Sequence, residues 1–128
     1  MRLLLDTCTF LWMTLGSPRL STTALQLLED ASNEAFLSSS SAWEISVKWS
    51  AGKLALPQPP HDFIPSQRSQ HLLSALPIRE EDVLHLHRLP PLHRDPFDRI
   101  LVSQAISQGL AILTPDSDIR QYPVRVIW

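Results

Sequence analysis

Five carboxylates stand out by what surrounds them. Asp6 ends a short apolar run at residues 2–5, and Glu44 closes Ser41-Ala42-Trp43-Glu44 after four consecutive serines. Asp95 and Asp98 bracket Pro96-Phe97, and Asp116 follows Thr114-Pro115. Each has a structural explanation. Asp6 suits a helix N-cap, Ser41 with Glu44 is a capping-box pattern, and Asp95 suits an N-cap ahead of Pro96. Asp98 then opposes a helix dipole, while Asp116 and Asp118 suit turns. If they share one edge, a second explanation applies. Clustered carboxylates repel, so their pKa values rise unless a cation is present. Mg²⁺ and Mn²⁺ favour oxygen ligands and relieve that repulsion. Such an ion also activates water and offsets charge on a phosphodiester, so the chemistry indicated is phosphoryl-ester hydrolysis.

The elements that must position these acids alternate between strand and helix. Residues 2–5 predict a buried strand passing into a helix at Thr7-Cys8-Thr9-Phe10-Leu11-Trp12. Ser21 suits the cap of a second helix, with Ala24, Leu25, Leu27, Leu28 and Ala31 at helical spacing. Ala35-Phe36-Leu37 predicts a second strand, and residues 42–49 a helix stopped by Gly52, with Glu44 in its first turn. Pro57-Gln58-Pro59-Pro60 predicts an irregular connection. Leu73 to Ile78 suits a short strand whose Pro77 implies an edge, and Glu80 to Leu89 a helix stopped by Pro90-Pro91. Pro96 opens the most periodic helix, carrying Phe97, Ile100, Leu101, Ile106 and Leu110, and Gly109 closes it. Leu110–Leu113 and Val124–Ile127 complete the strands. Alternation of this kind implies a parallel sheet covered on both faces. Strand ends that feed helices then share one edge, where ligands bind in open sheets.

Composition narrows the class. The 128 residues suit a single domain, 1–128, and 44% hydrophobic with 19% charged residues suffices for a core. A net charge of −2 offers no bulk attraction for nucleic acid, so any such contact needs a local patch. Cys8 is the sole cysteine, which excludes an intrachain disulfide and a cysteine-based zinc site. The opening residues do not read as a signal peptide, and no apolar run approaches the roughly 20 residues that span a bilayer. The expectation is a cytoplasmic protein with no membrane contact.

In their order, Leu5-Asp6-Thr7, Ser41-Ala42-Trp43-Glu44-Ile45-Ser46-Val47-Lys48, His93-Arg94-Asp95-Pro96-Phe97-Asp98-Arg99 and Leu113-Thr114-Pro115-Asp116 span nearly the whole chain. With them the sequence resembles PIN-domain ribonucleases, especially the VapC-type toxins of bacterial toxin–antitoxin pairs. The Trp-Glu-Ile and His-Arg-Asp-Pro-Phe-Asp-Arg segments are the specific ones. The resemblance implies a three-layer α/β/α fold on a mostly parallel sheet of four to five strands. It makes Asp6, Glu44, Asp98 and Asp116 the catalytic, metal-binding acids. Asp98 fits the third acid better than Asp95, because it begins Asp-Arg-Ile-Leu-Val-Ser-Gln-Ala; Asp95 is either an accessory ligand or only the cap. Thr7 and Thr114 occupy positions that orient the acids or water, Asp118 is a weaker candidate, and Ser103 stands where the family has a small residue such as Ala. The resemblance further implies Mg²⁺-dependent RNA cleavage (Mn²⁺ as a substitute) by a metal-activated water in line with the phosphodiester. A homodimer and a small VapB-like antitoxin, with its tail in the acidic groove, are the implied partners.

Other residues take secondary places. Lys48, Arg94 and Arg99 flank the acids and are candidates to hold RNA phosphates or to pair with the acids. His85 and His87 would point about 200° apart on a helix, which disfavours shared zinc ligation, and His93 is placed near the RNA beside Arg94 and Arg99. Trp12, Trp43 and Trp49 could stack on bases, although a core or dimer-interface role suits Trp43 better. The serines at 38–41 fit a turn rather than a nucleophile, and Cys8 fits packing. Three rivals compete. An inactive PIN-like protein-binding module is countered by the presence of all four acids. A receiver-like domain wants paired acids after its first strand, and another Mg²⁺ phosphohydrolase wants an Asp-x-Asp pair or a phosphate-cradling glycine loop.

Overall fold

A computed structural model describes all 128 residues. Its sheet has five parallel strands in the order β3-β2-β1-β4-β5. These are β1 (Arg2–Leu5), β2 (Glu34–Ser38), β3 (Ser74–Leu76), β4 (Ala111–Leu113) and β5 (Val126–Ile127). Between them run α1 (Thr7–Thr14), α2 (Thr22–Glu29), α3 (Ser39–Ser50), α4 (Pro60–Gln70), α5 (Glu80–Leu84), α6 (Pro96–Gln108) and α7 (Ser117–Arg120), with a 3₁₀ turn at Leu86–Arg88. The expected three-layer α/β/α arrangement is present.

Alternation along each strand divides the core in two. Leu4, Phe36 and Ile112, paired across neighbouring strands, face Leu101, Val102 and Ala105 of α6 and Ile119 of α7. Leu3, Leu5, Leu37 and Leu113 face Phe10 of α1, Ile45 of α3 and Phe63 with Ile64 of α4. Both faces of β1 are therefore buried, which explains its unbroken leucine run.

The caps follow side-chain chemistry. Ser21 Oγ accepts from the Ala24 amide at 3.0 Å, and Asp95 Oδ1 accepts from the amides of Phe97 and Asp98. Gly109 ends α6 at φ 68°, a left-handed conformation that L side chains adopt only at a cost.

Three expectations about elements change. The connection after the proline run is the helix α4: Pro60 sits at its first turn, where a missing N–H costs nothing, and Phe63 with Ile64 anchors it in the core. The helix expected over 80–89 stops at Leu84 and tightens into the 3₁₀ turn. The capping box at Ser41–Glu44 does not form. Ser38 caps α3 instead, which puts Glu44 in the second turn rather than the first.

Candidate active site

Strand order reverses around β1: β2 and β3 lie to one side, β4 and β5 to the other. The cleft between β1 and β4 at their C-terminal ends is thus the switch point of the sheet. Asp6 follows β1 and Asp116 follows β4, so both stand at that cleft. Glu44 comes from α3, and Asp98 from the first turn of α6. Ser40 Oγ donates to the Phe97 carbonyl at 3.0 Å, which draws the start of α3 against the start of α6.

Asp6 is held on both oxygens. The Thr9 amide donates to Oδ1 at 2.8 Å and the Thr114 hydroxyl to Oδ2 at 2.5 Å. Thr114 Oγ1 also accepts from the Asp116 amide at 3.0 Å, so one threonine links two of the acids. Thr9 Oγ1 donates to the Leu113 carbonyl and fastens α1 to the end of β4. The Thr7 hydroxyl donates to Glu44 Oε1 at 2.7 Å, and Glu44 Oε2 pairs with the Lys48 ammonium one turn on. Asp116 caps α7 through the Asp118 amide, and Asp118 itself is exposed and bonded to Gln121.

The electrostatics bind the set together. Burial pushes the Asp98 carboxyl up to about 7, and the charges of Asp95, Asp116 and Glu44 push the same way against the His93 bond. Burial also raises Asp6, with Asp116 adding to it, although bonds from Thr114 and Thr9 act in opposition. Acids from four separate segments therefore share one field. Cys8 lies in it too, its thiol pushed up to about 11 by desolvation and by Asp6 and Glu44, so it is no thiolate at neutral pH.

The donor set suits a hard divalent cation: it consists of carboxylate oxygens, and the pull toward protons on Asp6 and Asp98 is what a cation would relieve. As the side chains stand, no three His, Cys, Asp or Glu groups are packed closely enough to hold an ion. Glu44 is engaged instead by Lys48 and Thr7.

Several sequence expectations shift here. Arg99 is engaged within the fold: its Nη1 donates to the Pro90 carbonyl at 3.0 Å and to Tyr122 Oη at 2.8 Å. His93 is held between Tyr122 and Asp98. Arg94 is exposed and makes no ion pair, and Lys48 is half-exposed on Glu44. Trp43 is no core residue: it is 53% exposed and rests edge-on against Phe97. Trp12 packs on Trp128, His85 ends α5, and His87 bonds the Leu84 carbonyl from the 3₁₀ turn. Ser103 has a use of its own, since its hydroxyl donates to the Asp82 carbonyl at 2.6 Å. Sequence reading overlooked Thr9 and Tyr122. Thr9 had a local signal, a hydroxyl residue three positions after a capping acid. Tyr122 had none, because its partners lie more than twenty residues away.

None of the surface cavities is lined by Asp6, Glu44, Asp98 or Asp116; one is lined by Trp12, Met13, Leu25 and Leu28, another by Trp43, Val83, Leu86 and Arg94. No helix is long and apolar enough to cross a membrane.

Comparison with known proteins adds to this geometry. The PIN domain family model matches residues 3–124. The fold is similar to VapBC2 from Rickettsia felis bound to a promoter DNA fragment, with a TM-score of 0.75, 17% identity, and coverage of 100% of this chain and 99% of that one. It is similar to DNA-bound VapBC from Salmonella typhimurium, at a TM-score of 0.72, 18% identity, and coverage of 99% and 97%. A member of the VapBC family of toxin-antitoxin systems from Mycobacterium tuberculosis matches at a TM-score of 0.59, 17% identity, and coverage of 98% and 95%. No match is found among curated proteins.

Proposed function

The chain belongs to the PIN-domain family, and from that membership we propose that it is a divalent-metal-dependent endoribonuclease, the toxin of a type II toxin–antitoxin pair. What supports this reading is the electrostatic field at the switch-point edge: burial, with Asp95, Asp116 and Glu44, pushes Asp98 up to about 7, and Asp116 adds to the rise at Asp6. Those four residues would hold Mg²⁺ or Mn²⁺, with Asp95 as an accessory. Bound there, the ion supplies an activated water and offsets charge on the phosphodiester.

The chain's own residues do the rest. Thr114 and Thr9 fix Asp6, and Thr7 fixes Glu44, so the carboxylates are oriented before any ligand arrives. Lys48 and Arg94 would hold backbone phosphates of the RNA. A homodimer in the cytoplasm and a small VapB-like antitoxin complete the reading. The antitoxin is supported by the likeness to VapBC complexes.

A second reading, an inactive protein-binding module, has one observation in its favour: Glu44 is already neutralised by Lys48. One experiment separates the two. The protein, freed of any copurifying small partner, is incubated with structured RNA in Mg²⁺ or Mn²⁺ and then in EDTA. Cleavage that requires metal and disappears in Asp6→Asn and Asp98→Asn is expected. Absence of cleavage with metal, or full activity of both variants, refutes the enzyme.

A further inference from the structure

The acids at the edge are oriented by different kinds of donor. Glu44 meets an ammonium and Asp6 meets hydroxyl and amide groups, but Asp98 meets an imidazole that is itself held in place. His93 Nε2 lies 3.2 Å from Asp98 Oδ2, His93 Nδ1 lies 2.7 Å from Tyr122 Oη, and Arg99 Nη1 lies 2.8 Å from the same Tyr122 oxygen.

The proton positions along this row follow from what each group can do. A guanidinium has donors only, so Tyr122 Oη accepts from Arg99. The tyrosine has one proton, and the acceptor in reach is His93 Nδ1. Nδ1 is therefore the lone-pair nitrogen, and Nε2 carries the hydrogen donated to Asp98. An imidazolium would leave the Tyr122 proton without an acceptor on a residue only 3% exposed. The row is also anchored at its far end. Tyr122 belongs to the core against α6, and Arg99 binds the Pro90 carbonyl in the loop that leads into that helix.

We infer that Arg99, Tyr122 and His93 form a positioning relay that fixes the Asp98 carboxylate through a neutral donor. The inference deepens the metal-site reading above and rests on it. A neutral N–H orients the carboxylate yet leaves its charge for a divalent cation, whereas the Lys48 ammonium on Glu44 competes for the same charge. His93 and Tyr122 act through Asp98 and need not touch substrate. Outer-shell partners of this kind are worth about 10- to 100-fold in metal affinity.

The test uses the full chain. Mn²⁺ affinity is measured by calorimetry for wild type, Tyr122→Phe, His93→Ala, His93→Gln and Asp98→Asn. The His93 ring nitrogens are followed by NMR in the metal-free protein. Wild type should show the Nε2–H tautomer. Tyr122→Phe, which removes one oxygen and keeps the ring in the core, should admit the Nδ1–H tautomer and weaken Mn²⁺ about tenfold. His93→Ala should weaken it at least as much. His93→Gln, which retains a donor and an acceptor, should recover most of the loss.

Affinities of Tyr122→Phe and His93→Ala within about twofold of wild type, well short of the outer-shell range, would refute the relay and leave the metal site standing. An Nδ1–H tautomer in wild type would refute it equally. Wild type that binds no Mn²⁺, or Asp98→Asn that binds as well as wild type, overturns the underlying reading and the relay with it. Should one of the two deletions fail to fold, the other carries the test.

Discussion

Asp82 and Asp98 are both acids withdrawn from solvent beside α6, and they have opposite surroundings. Asp82, on α5, is fully buried. Burial alone would raise its pKa, yet Arg79 and Ser107 donate to it and the balance falls below the usual carboxylate range. The Arg79 guanidinium reaches Oδ1 at 3.1 Å, its amide reaches Oδ2 at 2.8 Å, and Ser107 Oγ reaches Oδ1 at 2.7 Å. Asp98 has a single side-chain donor, His93, and three acids in its field. A buried acid with a full set of donors pins two helices together. One left short of donors among like charges retains an appetite for a cation, which is how a site differs from a brace.

Exchanging the two acids for amides gives the widest separation. Asp98→Asn and Asp6→Asn should each reduce RNA cleavage by about 10²-fold or more, the scale of losing one charge-stabilising group, with no loss of stability. Asp82→Asn should retain activity per folded molecule. A drop in cleavage by folded Asp82→Asn comparable to that of Asp98→Asn would break the contrast.

Stability should show the reverse. Removing the Asp82 carboxylate in Asp82→Ala takes away the charged acceptor shared by Arg79 and Ser107 and should cost about 2 kcal/mol in urea unfolding, because the half-exposed Arg79 is then hydrated. Asp98→Ala should cost far less.

The pH response comes next in size. Between about pH 4 and pH 7 the folded chain holds a proton on Asp98 that the unfolded chain has released, so stability falls as pH rises through that window. Asp82 has the opposite sign: its contribution is present above the ordinary carboxylate pKa and is lost as pH falls through its lowered value. Metal-free melts should therefore show Tm lower at pH 8 than at pH 5 by on the order of 5 °C. Mn²⁺ or Asp98→Asn should flatten that slope. A slope unchanged by both would separate Asp98 from the effect.

The smallest effect concerns the arginines. Arg79 is committed to Asp82, whereas Arg94 is exposed and unpaired near the acids. Arg94→Ala should weaken RNA binding and reduce the slope of log affinity against log salt by about 1, while Arg79→Ala leaves that slope alone.

The sequence carried the parts of this molecule that depend on local pattern. An unbroken leucine run marked β1 as buried on both faces, the spacing of Phe97, Ile100, Leu101 and Ile106 marked α6, and Ser21, Asp95 and Gly109 marked helix ends. The alternation of strands and helices was enough to place Asp6 and Asp116 on one edge, because a parallel sheet turns all such ends the same way. Where a hydroxyl, a ring or a guanidinium finds its partner across the fold was not legible. Sequence offered Ser41 to Glu44 as a capping box, but the core set the start of α3 three residues earlier and turned Glu44 to Thr7 and Lys48. It marked Arg99 and His93 as candidates for RNA and passed over Tyr122, whose partners sit 23 and 29 positions away, and Asp82, which joins the local Arg79 to Ser107 25 positions on. Periodicity and capping are short-range properties of a chain, so residue order determined the elements and the acids. Burial and charge compensation depend on what packs against what, so only the tertiary structure decided which acid is a brace and which is left to bind.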